Sequence, residues 1–261
     1  MKTGISTACF HLKQETEKAV KTIKDMGAEC AEVFLQTFYE YRPEFAKAVA
    51  PDICGLEVNS VHVQTNFEPQ LFSASRRIRG DGFYWLDQIM RSAQILVAKN
   101  YTFHGFFRRQ DYVEDFDALA GHIRGAIEFC ARYGVNLCLE NVFWSLYNRP
   151  NVFAELKSRC DGLYGVFDIK QARKSGYPYQ MYLKDMAGAI SYVHLSDVNS
   201  EGETCLPCEG ITDFEEVFKR LADTGFDGAV IIEAEQFDGV GRLANSLNGV
   251  NEILYKLNIK K

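Results

Sequence analysis

The chain has 261 residues, a formal net charge of −6 and a sequence isoelectric point near 5.5. Its 47% apolar and 25% charged residues exclude a largely disordered protein, and its acidic balance argues against a nucleic-acid partner. No apolar run reaches the ~20 residues of a membrane-spanning helix, and the first residues lack the layout of a secretory signal. We therefore expect a cytoplasmic protein with no membrane partner.

Short apolar runs alternate with longer amphipathic stretches along the chain. The runs predict strands at residues 4–10, 30–35, 57–63, 101–106, 136–142, 163–168, 190–195 and 229–234. Several are apolar throughout, as parallel strands are when helices cover them. Apolar residues recur at helical spacing between the runs, for example in 116–130 and 243–257. Eight such strand–helix units predict an α/β fold, a (β/α)8 TIM barrel that spans residues 1–261 as a single domain.

The alternative architecture is a doubly wound open sheet. It is disfavoured because residues 6–10, which follow the start of the first strand, do not form a glycine-rich phosphate loop. The loop lengths also favour the barrel. The longest predicted connections run from a strand to the next helix, at 64–82, 196–211 and 143–150. In a barrel these loops would all lie at the end where active sites are found.

Ionisable side chains stand at the ends of the last four predicted strands. Glu140, Asp168, His194 and Glu233 each follow an apolar strand body. Strand ends of a barrel converge on its axis, where three carboxylates and an imidazole would repel one another without a cation. Oxygen-rich ligands with one imidazole favour one divalent ion, Mn²⁺ or Mg²⁺, with Co²⁺ or Zn²⁺ as alternatives. The competing interpretation is structural ion pairing.

The motifs around these residues carry a family resemblance. Cys-Leu-Glu140-Asn, Val-Phe-Asp168, Val-His194-Leu-Ser-Asp197 and Ile-Ile-Glu233 resemble the xylose isomerase-like barrel superfamily. Within it, the chain is most similar to sugar (phosphate) isomerases and epimerases of the D-tagatose 3-epimerase and hydroxypyruvate isomerase type. The resemblance implies that Glu140, Asp168, His194 and Glu233 bind one metal ion, with Mn²⁺ favoured. It also implies that Glu140 and Glu233 are the catalytic acid–base pair on opposite sides of the substrate.

The implied function is an enzyme of carbohydrate metabolism. It would be a metal-dependent isomerase or epimerase that moves a proton on a ketose or keto-polyol through an enediolate that the metal stabilises. The expected partner is a small sugar or sugar derivative. Barrels of this kind often self-associate, so a homo-oligomer is an open expectation.

Further residues at the same end of the barrel are expected to bind the substrate: His62, His104, Trp144, Gln171 and Glu209. The two histidines would bond sugar hydroxyls, although buried structural histidines are the alternative. Trp144 would form an apolar wall, or belong to the core. Gln171 stands where the family usually has a substrate-contacting histidine, and Glu209 lies in a loop where one family glycine is replaced. Glu32, on the second strand, is interpreted as a supporting group.

Departures from the family pattern leave the reaction open. The second glutamate of the epimerases is absent, since Leu146 stands there. A lyase like inosose dehydratase is therefore an alternative. An endonuclease IV-like DNA repair enzyme is disfavoured because Gln171, Gly202 and Thr204 replace ligands that its three zinc ions need. A sugar-binding barrel without catalysis is the last alternative, and the retention of both glutamates argues against it.

Overall fold

Eight parallel strands close into a barrel in the computed structural model, which describes residues 1–64, 67–105, 107–108, 115–234 and 237–260. The strands are β1 (Lys2–Ser6), β2 (Cys30–Leu35), β3 (Glu57–Val63), β4 (Asn100–Phe103), β5 (Asn136–Glu140), β6 (Tyr164–Asp168), β7 (Ile190–Leu195) and β10 (Ala229–Ile232). Each pairs with its neighbour in this order, and β10 closes the barrel against β1. The predicted TIM barrel is confirmed.

Helices cover the outside of the barrel. They are α1 (Thr16–Asp25), α2 (Pro43–Ile53), α3 (Arg76–Ile95), α4 (Phe116–Ala131), α5 (Val152–Lys157), α6 (Ile169–Lys174), α7 (Tyr179–Asp185), α8 (Phe214–Asp223) and α9 (Val240–Lys256). The side chain of Asp213 caps α8 by accepting a hydrogen bond from the backbone of Glu216. None of the helices in the described ranges is long and apolar enough to cross a membrane.

Two of the predicted long loops contain regular structure. The segment 64–82 was expected to be a loop, but it holds a 3₁₀ helix, Glu68–Phe72, and the first turns of α3. The two pieces pack closely, because a side chain at Gly82 would come within 2.9 Å of the backbone nitrogen of Leu71. The segment 196–211 contains a small antiparallel hairpin of β8 (Asp197–Val198) and β9 (Thr204–Cys205).

The barrel interior is built in two layers because strand side chains alternate between its two faces. The lower layer is an apolar cluster separate from the main core: Cys30, Cys138, Val166, Tyr192, Ala229 and Ile231. The residues two positions further along these strands point to the same face. On β5, β6, β7 and just after β10, they are the four predicted metal ligands. The apolar floor therefore holds the polar layer at the carboxyl end of the barrel.

Candidate metal centre and active site

The four predicted ligands meet at the carboxyl end of the barrel. Glu140, Asp168, His194 and Glu233 each offer one ligand atom, and these atoms all lie within 4.8 Å of one another. His194 Nδ1 is 3.1 Å from Glu140 Oε1, 2.7 Å from Glu233 Oε2 and 3.9 Å from Asp168 Oδ2. Glu233, the most accessible of the four, is only 7% exposed. The structure thus brings together all four residues that the sequence singled out.

Burial and charge interactions oppose each other in setting the pKa values of this cluster. Burial raises the pKa of Glu140, but hydrogen bonds from His104 and His194 outweigh it and hold that pKa well below its usual range. Burial lowers the pKa of His194, but Glu233 and Glu32 raise it well above its usual value. Burial also raises the pKa of Asp168 to about 7. The cluster is therefore a set of carboxylates that holds positive charge at its centre.

Asp168 shows that the cluster fits a divalent cation. Its Oδ1 accepts a hydrogen bond from the backbone N–H of Gln171 at 2.8 Å. The side-chain amide of Asn141 donates to the backbone carbonyl of Asp168 and accepts from its backbone N–H. Its Oδ2 is buried and accepts no hydrogen bond from any residue that the structure describes. A buried carboxylate oxygen left without a partner destabilises the fold by about 1–3 kcal/mol or more. A metal ion held by the four side chains would satisfy it.

A cavity of about 170 Å³ opens above the cluster. Glu140 and Glu233 line it, together with four of the five predicted substrate-binding residues: His62, His104, Trp144 and Gln171. Phe34 and His11 also line it and were not expected. A larger groove of about 560 Å³ lies between α6, α7 and the start of α8, and no residue of the metal cluster lines it.

Glu209 is the predicted substrate-binding residue that the structure does not bring to the cavity. Its carboxylate instead accepts hydrogen bonds from Arg242 at 3.0 and 2.6 Å, on the outside of the barrel mouth. The reason lies in the loop after β7. Asp197 accepts hydrogen bonds from the backbones of Gly210 and Thr212 at 2.9 and 3.0 Å, which closes the loop at its base. The intervening hairpin then carries Glu209 to α9.

Three buried charged residues complete the site. Glu32 lies in the barrel interior beneath His62 and His194. It is the one of the three that the sequence pointed to, because it is a charged residue within an apolar strand. Glu68 accepts hydrogen bonds from Tyr101 Oη at 2.6 Å and from the backbones of His104 and Gly105 at 2.9 Å each. Sequence reasoning missed Glu68 because it lay in a predicted loop.

Lys170, also missed, is 6% exposed and lines the cavity. It stands on α6, where the sequence gives no sign that the charge is buried. Burial raises the pKa of Glu233, but His194 and then Lys170 lower it, so that it ends below its usual value. Lys170 thus adds positive charge on the Glu233 side of the cavity.

Comparisons with known proteins place the barrel among related folds. A family model described as a xylose isomerase-like TIM barrel matches residues 20–252. The inosose dehydratase of Erwinia tasmaniensis is 34% identical over 98 residues, which cover 29% of this chain and 33% of that protein. The inosose dehydratase of Serratia proteamaculans is 24% identical over 159 residues, covering 52% and 53% respectively. The chain therefore spans about a third of the length of the first relative and about half of the length of the second in these matches.

Solved structures share the barrel along its whole length. A D-tagatose 3-epimerase-like protein superposes with a TM-score of 0.81 at 20% identity, covering 99% of this chain and 98% of that chain. The IolI protein, solved with a zinc atom, superposes with a TM-score of 0.77 at 15% identity and covers 99% and 98%. At these identities the likeness establishes the fold. Because the family model also matches most of the sequence, this chain belongs to the xylose isomerase-like TIM barrel family.

Proposed function

We propose that this protein is a metal-dependent enzyme that transfers a proton on a keto-sugar or keto-polyol, as an isomerase or epimerase. The observation that carries the proposal is the convergence of Glu140 and Glu233 on one imidazole at the floor of a small polar cavity. The named relatives and structural neighbours include epimerases and dehydratases of sugars and inososes, which supports this reaction class.

Glu140, Asp168, His194 and Glu233 would hold one divalent cation. Three carboxylates and one imidazole suit Mn²⁺, with Mg²⁺, Co²⁺ and Zn²⁺ as alternatives. When bound, the cation supplies Lewis-acid polarisation of the substrate carbonyl, which acidifies the neighbouring C–H bond. The zinc atom bound in the structure of the IolI protein, which shares this fold, supports metal binding.

The two glutamates would carry the proton. The pKa of each stays below its usual value despite burial, since His194 and the other cationic neighbours favour the carboxylate form. A carboxylate at the floor of the cavity can accept the proton from a substrate carbon and leave an enediolate. Return of that proton to the adjacent carbon gives isomerisation. For epimerisation the opposite glutamate would enter the reaction protonated. Its proton then passes to the other face of the original carbon, while the first glutamate keeps the proton that it removed.

The cavity wall would orient the substrate. His62, His104 and Gln171 line the cavity with groups that hydrogen-bond hydroxyls, and Trp144 offers an apolar face to the carbon skeleton. Such positioning holds the reacting carbon near the carboxylates and excludes competing orientations.

Dehydration is the second candidate. It starts with the same proton abstraction, after which a neighbouring hydroxyl leaves as water. The specific observation that favours it is that the sequence relatives matching this chain are inosose dehydratases. A DNA repair role and a non-catalytic sugar-binding role remain the weaker alternatives. The acidic net charge and the cavity of about 170 Å³ favour a small substrate over a duplex.

The test is a substrate screen in deuterated water with Mn²⁺, read by NMR. Ketoses and keto-inositols are incubated with the metal-loaded enzyme and with the chelator-treated enzyme. We expect deuterium at one carbon of a converted substrate, and recovery of activity when Mn²⁺ is returned. An isomer, an epimer or a dehydrated product identifies the reaction. Full activity in protein shown to contain no metal would refute the proposal.

A further inference from the structure

The inference concerns Glu32, the buried carboxylate beneath the metal cluster, and it rests on the proposed function. Glu32 is 0% exposed and lies among donors on four other strands. Its Oε1 accepts hydrogen bonds from Ser6 Oγ at 3.0 Å and His62 Nδ1 at 3.1 Å. Its Oε2 accepts from Ser60 Oγ at 2.8 Å, Thr102 Oγ1 at 2.8 Å and His194 Nε2 at 3.1 Å.

The direction of these hydrogen bonds follows from the neighbours. Ser6 Oγ accepts a bond from the backbone of Ala8, and Ser60 Oγ accepts one from the amide of Asn59, so each hydroxyl proton is left to Glu32. Hydroxyl donors are thus directed at both carboxylate oxygens of Glu32, so Glu32 acts as the acceptor and the imidazole nitrogens that face it carry the protons.

Glu32 is close enough to His62, His194 and Glu233 to be considered a metal ligand in its own right. The hydrogen bonds argue against that role. A carboxylate has about four lone-pair sites, and five donors already face this one. A cation would have to displace several of these donors inside the barrel, where each would lose its partner.

We propose that Glu32 is a positioning residue that fixes His194 as a metal ligand through Nδ1. With its proton on Nε2, directed at Glu32, His194 turns Nδ1 toward Glu140, Asp168 and Glu233. The same carboxylate holds His62 by Nδ1, which leaves His62 Nε2 at the cavity, 3.0 Å from His104 Nε2. One buried charge thereby sets the tautomer and ring orientation of an imidazole ligand and of a cavity imidazole.

The substitution that tests this is Glu32→Gln. It keeps the size of the side chain but replaces one acceptor oxygen with an amide donor. The amide oxygen can then accept from His62 or from His194, but not from both. If the amide nitrogen faces His194, the imidazole proton moves to Nδ1 and blocks the metal-binding nitrogen. Loss of such support for an imidazole ligand typically weakens metal affinity about 10–100-fold.

Two measurements are needed. Calorimetric titration of metal-free protein with Mn²⁺ gives the affinity, which we expect to fall about 10–100-fold in Glu32→Gln. Proton–nitrogen correlation NMR of the Zn²⁺-loaded wild type reports the His194 tautomer directly, and we expect a proton on Nε2 and metal on Nδ1. Glu40→Gln is the matched control, because Glu40 is also buried, at 5% exposed, and its carboxylate accepts from Thr16 and from the backbone of Gln36, neither of which belongs to the cluster or lines the cavity. Its Mn²⁺ affinity should equal that of the wild type.

The outcomes separate this inference from the proposed function. Should the wild type bind no divalent cation, the proposed function and this inference fail together. Should the wild type bind and turn over while Glu32→Gln binds Mn²⁺ equally well, only the role of Glu32 is refuted. A wild-type spectrum with the proton on Nδ1 of His194 refutes it too, and that measurement does not depend on the folding of any variant.

Discussion

Glu140 and Glu233 occupy matching positions on either side of His194, with carboxylate oxygens 3.1 and 2.7 Å from its Nδ1. If they are the acid–base pair, Glu140→Gln and Glu233→Gln should each lower kcat by at least about 100-fold, since an amide cannot take up the substrate proton. Both variants should keep the wild-type circular dichroism spectrum. Either one retaining near-wild-type turnover, measured with saturating Mn²⁺, would remove that residue from the mechanism.

Lys170 supplies a second prediction for a single side chain. Lys170→Met keeps much of the buried stem but removes a charge from the cavity beside Glu233. We expect kcat/KM to fall about 10–100-fold if the Lys170 ammonium donates to a substrate oxygen in the cavity. A hydrogen bond from a charged group contributes about 1.5–3 kcal/mol. Lys174→Met, an exposed change on the same helix, is the control. Equal kinetics in both variants would show that Lys170 does not act on the substrate.

The clustering of the four candidate ligands could be foreseen because strand geometry is simple. Interior-facing side chains at the carboxyl ends of parallel strands meet at the barrel mouth, so Asp168 and His194 were predictable as neighbours. Glu209 was not predictable, because its position depends on the hairpin that Asp197 holds in place. Glu68 and Lys170 were missed for the same reason, since loops and helix starts are solvated in most proteins and only tertiary packing buries these two.

Among the elements, the 3₁₀ helix Glu68–Phe72 ties the connection after β3 to the end of β4 through three hydrogen bonds to Glu68. Glu68→Ala would leave two backbone N–H groups and a tyrosine hydroxyl without this acceptor. We expect a loss of about 2–4 kcal/mol in the free energy of unfolding, measured by urea denaturation with an unchanged m value. Glu44→Ala, an exposed glutamate on α2, should change little. A stable Glu68→Ala would mean that water replaces these bonds.

The larger errors in the strand predictions lie at the carboxyl ends of the strands. The predicted strands 4–10, 101–106, 136–142 and 229–234 run past the observed ends of β1, β4, β5 and β10. All four overshoot at the carboxyl end, where the described residues that follow each strand stay buried; residue 106 lies outside the described residues. Apolar content reports burial rather than strand pairing, so it could not locate the point where the barrel ends and the site begins.

For the whole molecule, Glu29 links the start of β1 to the residues after α9 at the opposite end of the barrel. Its carboxylate accepts hydrogen bonds from the backbone and hydroxyl of Thr3 at 2.8 and 3.0 Å, and from Lys260 near the last residues. Burial raises the pKa of Glu29, but Lys260 and Thr3 outweigh it, so the pKa is lowered. A lowered pKa stabilises the fold above the unfolded value near 4.3, and this stabilisation disappears as pH falls through the folded pKa.

Glu29→Gln should therefore destabilise the protein by about 1 kcal/mol at pH 7 and by less as the pH falls below ~4. Thermal unfolding of the variant and the wild type across this range measures the difference. Asp25→Asn, an exposed neighbour, is the control for a general charge effect. A stability difference between variant and wild type that stays constant with pH would show that the charge of Glu29 does not stabilise the fold.

Four side chains from distant parts of the chain are proposed to bind one divalent cation. Diffraction from crystals grown with Mn²⁺, collected at a wavelength where manganese scatters anomalously, tests this most directly. We predict a single anomalous peak within about 2.0–2.3 Å of oxygens of Glu140, Asp168 and Glu233 and of Nδ1 of His194. An anomalous map with no peak there, and with the carboxylates still paired to a protonated His194, would show that these four residues do not bind the cation.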